Sequence, residues 1–283
     1  MCVATRLSDP ELISSRRNPL VRQLRQLHDS PGRRDQGLML VEGTHLLHEA
    51  LRLGLVPNLL VATPTWFDRH RPLLAVLPAS CTVRAATAEV LAAMATTRSP
   101  DGVVHTLPLP WAGAESLHSA APPGFVLALD RLQDPGNLGT LMRTALAAGV
   151  DQIWLGEGAD PWQPKVLRAS SGAALALSIV RLAADGLRDR VDQAGTEGLQ
   201  RLAAVLPSPD CSAPRPYWQI DWTRPTLLLL GNEGAGLAPD LLALADQRIT
   251  IPHSSEVESL NVAVAAAPLL LERWRQSLLA AEP

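Results

Sequence analysis

Three segments in the second half of the chain interrupt apolar stretches with residue types that can bind or react. In LDRLQDPGNLGTLMRTALAAGV (129–150) an apolar strand ends at Asp130 and a polar loop follows. Asn137 is of the type that caps the next helix, and Arg143 follows one and a half turns into it, among Leu141, Met142 and Leu146. Such an arginine either covers the wet face of an amphipathic helix or donates to an oxygen or anion. In LLLLGNEGAGL (227–237) an apolar strand runs into a loop with Gly231, Gly234 and Gly236. Glycine there permits positive φ and close approach of the backbone to a ligand, at the strand end where α/β sheets bind them. The spacing is neither GxGxxG nor a P-loop, which argues against a dinucleotide or triphosphate. In ITIPHSSEVESLNVAVAA (249–266) a short strand precedes a polar loop and a helix opened by Ser259, with Asn261 in its first turn. Free backbone N–H groups and polar side chains converge at such a helix start. His253 stands alone in that loop, a thin basis for a general base.

The elements around these segments alternate. Apolar runs predict strands at Phe125–Leu129, Gln152–Leu155, Ala174–Val180, Leu202–Leu206, Thr226–Leu230 and Arg248–Ile251. Helical patterns fall at Asn137–Ala148, Leu187–Ala194, Leu237–Ala245 and Ser259–Ala280, the last with Pro268 inside and a kink expected near Val264–Ala267. Earlier in the chain, helices are expected at Pro19–Leu27, Thr44–Leu53 and Ala86–Ala95, and strands at Leu38–Val41 and Leu59–Ala62. The pattern predicts an α/β fold in two parts. A Pro-, Ala-, Gly- and Ser-rich stretch divides them: residues 1–107 form one domain, 108–123 a linker and 124–283 a second domain.

With 283 residues and 47% apolar content the chain can bury real cores, and with 4% aromatics those cores rest on Leu, Ala and Val. No apolar run is long enough to cross a membrane, and the first residues carry no apolar signal core. Cys2, Cys81 and Cys211 are odd in number and far apart, which fits a reducing cytoplasm and supplies no metal site. The net charge of −3 speaks against a nucleic-acid partner only when taken over the whole chain. Residues 1–110 hold 12 Arg against nine acidic residues, with Arg16, Arg17, Arg22, Arg25, Arg33 and Arg34 clustered. The remainder carries a net −6. That asymmetry fits either a nucleic-acid-facing module beside a catalytic one or a solvated helix face.

Together, in order and spacing, the three segments resemble the motifs of the SpoU/TrmH branch of the SPOUT superfamily, S-adenosylmethionine-dependent RNA ribose methyltransferases. NLGTLMRTALAAGV, GNEGAGL and IPHSSEVESLNVAVA are similar to its three motifs, and PKVLRASSGAAL (164–175) echoes an intermediate stretch. ISSRRNPLVRQLRQL and LMLVEGTHLLHEAL resemble the family's substrate-binding module, which places an RNA-binding α/β domain before a trefoil-knotted α/β methyltransferase domain. The resemblance implies methyl transfer to a ribose 2′-hydroxyl, with ribosomal RNA favoured over transfer RNA, in a homodimer joined through the knotted domains. It implies Gly231, Asn232, Gly234, Ile251, His253 and Leu260 around S-adenosylmethionine. Arg143 takes the place of the family's reactive arginine, as proton acceptor or as the group fixing the 2′-oxygen. Asn137, Glu233, Ser259 and Asn261 surround it, and Arg16, Arg17, Arg22 and Arg25 face RNA. No metal is implied. His253 and Ser255 stand where the family usually has Met and Gly. A catalytically silent RNA-binding scaffold and a base methyltransferase of the wider superfamily are the competing readings.

Overall fold

The structure is a computed structural model that describes residues 10–110, 123–207 and 213–281. Most of the expected linker, Cys2 and Cys211 lie outside the described residues. The chain divides into two compact units: one holds the described residues up to 110 together with Asp160–Leu175, the other the remaining residues.

In the first unit the strands are β1 (Leu12–Ile13), β2 (Leu38–Glu42), β3 (Leu59–Ala62), β4 (Thr82–Ala86) and β5 (Val103–Pro108). The helices are α1 (Pro19–Gln26), α2 (Ser30–Gln36), α3 (Thr44–Arg52), α4 (Pro64–Arg69), α5 (Arg71–Val76) and α6 (Ala88–Met94), joined by α8 (Pro164–Ala169) and α9 (Ala173–Ala176). The sheet order is β1-β4-β3-β5-β2, with β5 antiparallel to both neighbours and the other pairs parallel. Separate apolar cores cover its faces: Leu24, Leu40, Val61, Val90 and Met94 on one, Leu47, Leu60, Trp66 and Val103 on the other. β5 was not expected, because His105 and Thr106 break its apolar run, yet both are buried. α2, α4, α5 and α8 were also not expected; all are short and carry Pro in the first turn, where a missing N–H costs nothing.

The second unit holds β6 (Phe125–Leu129), α7 (Pro135–Ala147), β7 (Gln152–Leu155), β8 (Ser178–Arg181), α10 (Ala184–Thr196), β9 (Gln200–Ala204), β10 (Arg215–Pro216), β11 (Thr226–Leu230), α11 (Pro239–Ala243), β12 (Gln247–Thr250) and α12 (Val262–Ala281). Its seven strands lie in the order β10-β12-β9-β11-β6-β7-β8, and every pair is parallel. Central β6 and β11 are buried at every residue, as strands covered on both faces must be. The expected strand over Ala174–Val180 is instead a turn of helix at Ala173–Ala176 and a strand beginning only at Ser178. The Ala run favours helix, and the β-branched pair Ile179–Val180 marks the strand. Likewise Ala86 ends β4 and does not begin a helix. α12 runs on through Pro268.

Connections leave β6 toward β7 on one side and β11 toward β12 on the other. Their carboxyl ends therefore diverge at the middle of the sheet, which is where an open parallel sheet forms a binding crevice.

Candidate functional site

The loops after β6 and β11 meet at that crevice through a chain of polar groups. Asp134, not Asn137, caps α7: its carboxylate accepts from Asn137 N at 2.8 Å, and Pro135 occupies the first turn. This leaves the Asn137 amide free to reach outward. Its Nδ2 donates to Glu233 Oε1 at 3.2 Å, and its Oδ1 accepts from Asn261 Nδ2 at 2.9 Å. Asn261 lies just before α12, not within its first turn, and its Oδ1 caps that helix by accepting from Ala263 N (3.0 Å) and Val264 N (3.3 Å). Each amide therefore has its orientation set by the group on either side.

Glu233 anchors this relay. Burial pushes its carboxyl up, but N–H groups outweigh that and hold it below the usual range: its own backbone, the Asn137 amide and the backbones of Asp134 and Gln133. It is a fixed carboxylate that only accepts.

The glycine loop is equally determined. Asn232 and Gly236 exchange backbone hydrogen bonds at 3.0 Å, closing the loop on itself. A Cβ on Gly231 would stand 2.2 Å from Gly236 C and Leu237 N, so no side chain fits there. The Asn232 side chain is spent inside the loop: Oδ1 accepts from Gly234 N and Ala235 N, and Nδ2 donates to Arg131 O at 2.8 Å. Only its backbone is left to meet a ligand. Below the loop Asp130, 5% exposed, takes a bidentate pair from Arg131 and accepts from Ala238 N at 2.8 Å. Arg131 has φ +51°, a left-handed conformation costly for a residue with a side chain.

A cavity of about 390 Å³ opens at the ends of β9, β11 and β12. Gly231, Asn232, Gly234, Ile251, His253 and Leu260 all line it, as do Glu233 and Ser259. His253 Nδ1 pairs with Ile251 O at 2.7 Å, which turns its ring toward the loop backbone. Thr250 also lines the cavity, and its buried Oγ1 has no partner among the described residues. Sequence reading missed Thr250, Asp130 and Asp134, whose only signal was a polar residue at the end of an apolar strand or just before a proline.

Arg143 lies apart from this network. It is exposed on α7 with no hydrogen-bond or ion-pair partner among the described residues. In the first unit Arg16 pairs with Glu89 at 3.0 Å, both exposed, whereas Arg17, Arg22 and Arg25 point outward unpaired among the described residues. Arg33 is the exception in the basic cluster: it is 2% exposed and bound to Asp160, Leu27 O and His28 O.

The size and lining of the cavity fit S-adenosylmethionine, since pockets for such ligands run from about 300 Å³ upward and are mainly apolar. Gly231 lets the loop close tightly against Gly236 and Leu237 beside the cavity, and Thr250 supplies an unsatisfied hydroxyl. Among the described residues no three His, Cys, Asp or Glu side chains converge as metal ligands do, and no helix is long and apolar enough to cross a membrane.

Residues 124–271 match the SpoU rRNA Methylase family, and residues 18–105 match the MRM3-like substrate binding domain. The chain is 43% identical to an uncharacterized tRNA/rRNA methyltransferase of Synechocystis, over 98% of both chains. It is 34% identical to the 23S rRNA (guanosine(2553)-2′-O)-methyltransferase of Bacillus subtilis, over 91% of this chain and 97% of that one. Among solved structures, the AdoMet-bound rRNA methyltransferase of Sinorhizobium meliloti superposes with a TM-score of 0.79 at 30% identity, covering 94% of this chain and 97% of the other. Matched over 98% of its length by such a relative and over 124–271 by the family itself, the chain belongs to the SpoU rRNA methylase family of RNA methyltransferases.

Proposed function

We propose that the chain methylates a ribose 2′-hydroxyl of ribosomal RNA in the cytoplasm, as a homodimer. The observation that carries the reading is the relay Glu233–Asn137–Asn261, which touches the cavity through Glu233 and is oriented along its whole length. The Bacillus subtilis relative, matched over 91% of this chain, acts on 23S ribosomal RNA at a 2′-O position, whereas the Escherichia coli tRNA (guanosine(18)-2′-O)-methyltransferase matches over only 54%, and that guides the choice of substrate.

Bound in the cavity, S-adenosylmethionine supplies a methyl group on a positive sulfur whose charge is cancelled in transfer. The protein's share is then mostly orientation, which can supply roughly 7–11 kcal/mol. The backbone of the Gly231–Gly236 loop would hold the cofactor together with the apolar side chains of Ile251 and Leu260, and the unpartnered Thr250 hydroxyl would offer it a hydrogen bond. Ser259 and the amides of Asn137 and Asn261 orient the ribose. Arg143 fixes the 2′-oxygen and an adjacent phosphate, a role suited to a group with five donors and no acceptor. Family membership supports a trefoil knot between Thr226 and the last helix. The module of residues 1–107 would grasp RNA through Arg17, Arg22 and Arg25, with Arg16 shared with Glu89.

Two features support the homodimer. Val264, Leu271 and Leu278 recur every seven residues on α12 and are 61%, 46% and 52% exposed, with Trp274 on the same seam and Leu146 of α7 also exposed. A heptad stripe of this kind is completed by a second helix. Arg143 stands on α7 without a partner, so a second copy would complete the site it serves.

The test is a map of ribose methylation across ribosomal and transfer RNA with and without the protein. One ribosomal 2′-O-methyl should vanish without it; a lost transfer-RNA mark in its place would move the substrate. Arg143→Ala should lose at least about 100-fold in turnover while calorimetry still records cofactor binding. Wild-type turnover in that variant would remove Arg143 from the mechanism, and absence of cofactor binding in the folded wild type would favour a silent RNA-binding scaffold.

A further inference from the structure

The glycine loop, the amide relay and the cavity leave one aromatic group of the second unit without a role. The stretch RPYWQIDWTR (215–224) carries Tyr217, Trp218 and Trp222 in a chain with only seven Trp, one Tyr and two Phe. Trp222 is fully buried and donates its indole N–H to Tyr217 O at 2.8 Å. Arg215 donates to Gln219 O at 2.9 Å and to Gln247 Oε1 at 3.0 Å. Gln276 of α12 donates to Ile220 O at 3.0 Å and accepts from Trp222 N at 2.9 Å. Three side chains thus pin one turn from three directions. The group that turn displays is Trp218, 50% exposed, set edge to face against Tyr217 with ring centroids 5.1 Å apart. Its indole N–H has no hydrogen-bond partner among the described residues.

Register fixes where this turn lies. β10 runs parallel to β12 with Pro216 opposite Thr250, a residue of the cavity wall. Neighbouring strands are about 4.8 Å apart, and two residues of chain reach at most about 7.6 Å. The Trp218 Cα therefore lies within about 12 Å of the Thr250 Cα, at the carboxyl edge of the sheet where the cavity opens. The charge around it is favourable to a polyanion. Arg215 and Arg224 are exposed, two cations against the segment's one carboxylate, Asp221, which is also exposed and accepts from Thr223 N and Oγ1 at 3.0 and 2.6 Å.

We propose that Trp218, backed by Tyr217, is a stacking platform for an unpaired base of the RNA substrate flanking the methylated nucleotide, with Arg215 and Arg224 beside the phosphate backbone. The proposal rests on the RNA reading given above and adds a positioning residue to it. An indole held rigid in advance gives up little rotamer freedom on binding. Every base offers a π face, so the platform accepts any flanking base and contributes to affinity more than to sequence choice.

The experiment measures retention of in-vitro-transcribed large-subunit ribosomal RNA on filters over a range of salt, beside methyl transfer to the same RNA. Trp218→Ala should weaken retention at least about ten-fold, the order expected for one lost stacking contact. Its salt dependence should stay as steep as in the wild type, since no phosphate contact is removed. KM for RNA should rise in step, with kcat and cofactor affinity unchanged, and Trp218→Phe should recover most of the loss. Retention and KM within two-fold of the wild type in Trp218→Ala would overturn the platform. So would a weakening that accompanies loss of the dimer in sedimentation, because Trp218 would then be packing against a second copy. A wild-type protein that retains RNA in a Trp218-dependent way yet transfers no methyl group would overturn the proposed function and leave the platform standing.

Discussion

Both units hold carboxylates tightly, but for different ends. In the first, Glu42 is 5% exposed and accepts from Thr96 N, Thr97 N, Thr97 Oγ1 and Arg168, all within 3.2 Å. Arg33 and Asp160 close a second buried pair. The donors that reach Glu42 and Asp160 belong to the same unit, and these charges tie Asp160–Leu175 to the sheet. In the second unit Glu233 is also held by several donors, but its relay ends at an open cavity, and the cavity wall contains an unsatisfied hydroxyl, Thr250. A buried charge whose network closes on itself supports the fold, whereas a network that stops at a cavity is arranged for something that arrives later.

The contrast can be broken experimentally, most forcefully at Gly231. Gly231→Ala places a methyl group 2.2 Å from backbone atoms of the loop, so the loop must open. Cofactor affinity by calorimetry should fall about 100-fold or more, for an overpacking cost of roughly 1–3 kcal/mol in folding stability. Unchanged affinity would mean that the loop is not the cofactor cradle.

Arg33→Ala should do the reverse. Breaking a buried pair from one side typically costs about 3–5 kcal/mol, so denaturant unfolding should show a large loss of stability. Cofactor affinity of the fraction that stays folded should be unaltered. If RNA retention lost salt dependence as well, Arg33 would be reaching RNA despite its burial.

Acid should separate the units too. Burial pushes His105 down to about 3, and neither ring nitrogen has a partner among the described residues. The unfolded chain protonates this histidine near its ordinary value of 6.5, so between those values the unfolded state binds more protons and stability rises with pH. The first unit should lose roughly 3 kcal/mol between pH 7 and pH 4, seen as faster hydrogen exchange along β5. Glu233 has the same sense in a lower window: held below the ordinary carboxylate value of 4.5, it contributes stability that is present above that value and lost as pH falls through its own lower one. His105→Leu should abolish the acid sensitivity of β5 and leave the relay untouched.

The smallest effect is the most selective. Neutralising Arg17, Arg22 and Arg25 together should reduce the slope of log affinity for RNA against log salt by about two and move cofactor affinity not at all. An unchanged slope would make this face a solvated helix surface.

Much of this was legible beforehand, for identifiable reasons. β6 and β11 carry continuous apolar runs that only a doubly covered strand requires. The three glycines and the polar breaks after them marked where a ligand could come close to the backbone. Short elements were the ones misread: β5 hides behind His105 and Thr106, and the Ala run 173–176 joins a helix though the residues after it form a strand. In each, tertiary burial overrode a weak local signal. Asn137 and Asn261 both looked like residues for helix starts. Only Asn261 caps a helix, because Asp134 takes the other cap and frees Asn137 for Glu233.

Residue type and order by themselves determined which groups could react, that strands and helices would alternate in an α/β fold, and that positive charge would collect before residue 110. They did so because apolar periodicity, glycine freedom and charge density are properties of short stretches. Tertiary structure alone decided which polar groups meet. Asn137 reaches Glu233 across 96 positions and Asn261 across 124, and Arg33 is withdrawn from the basic cluster by Asp160, 127 positions away. Partners so distant come together only through the strand order of a folded sheet, and no spacing along the chain encodes that order.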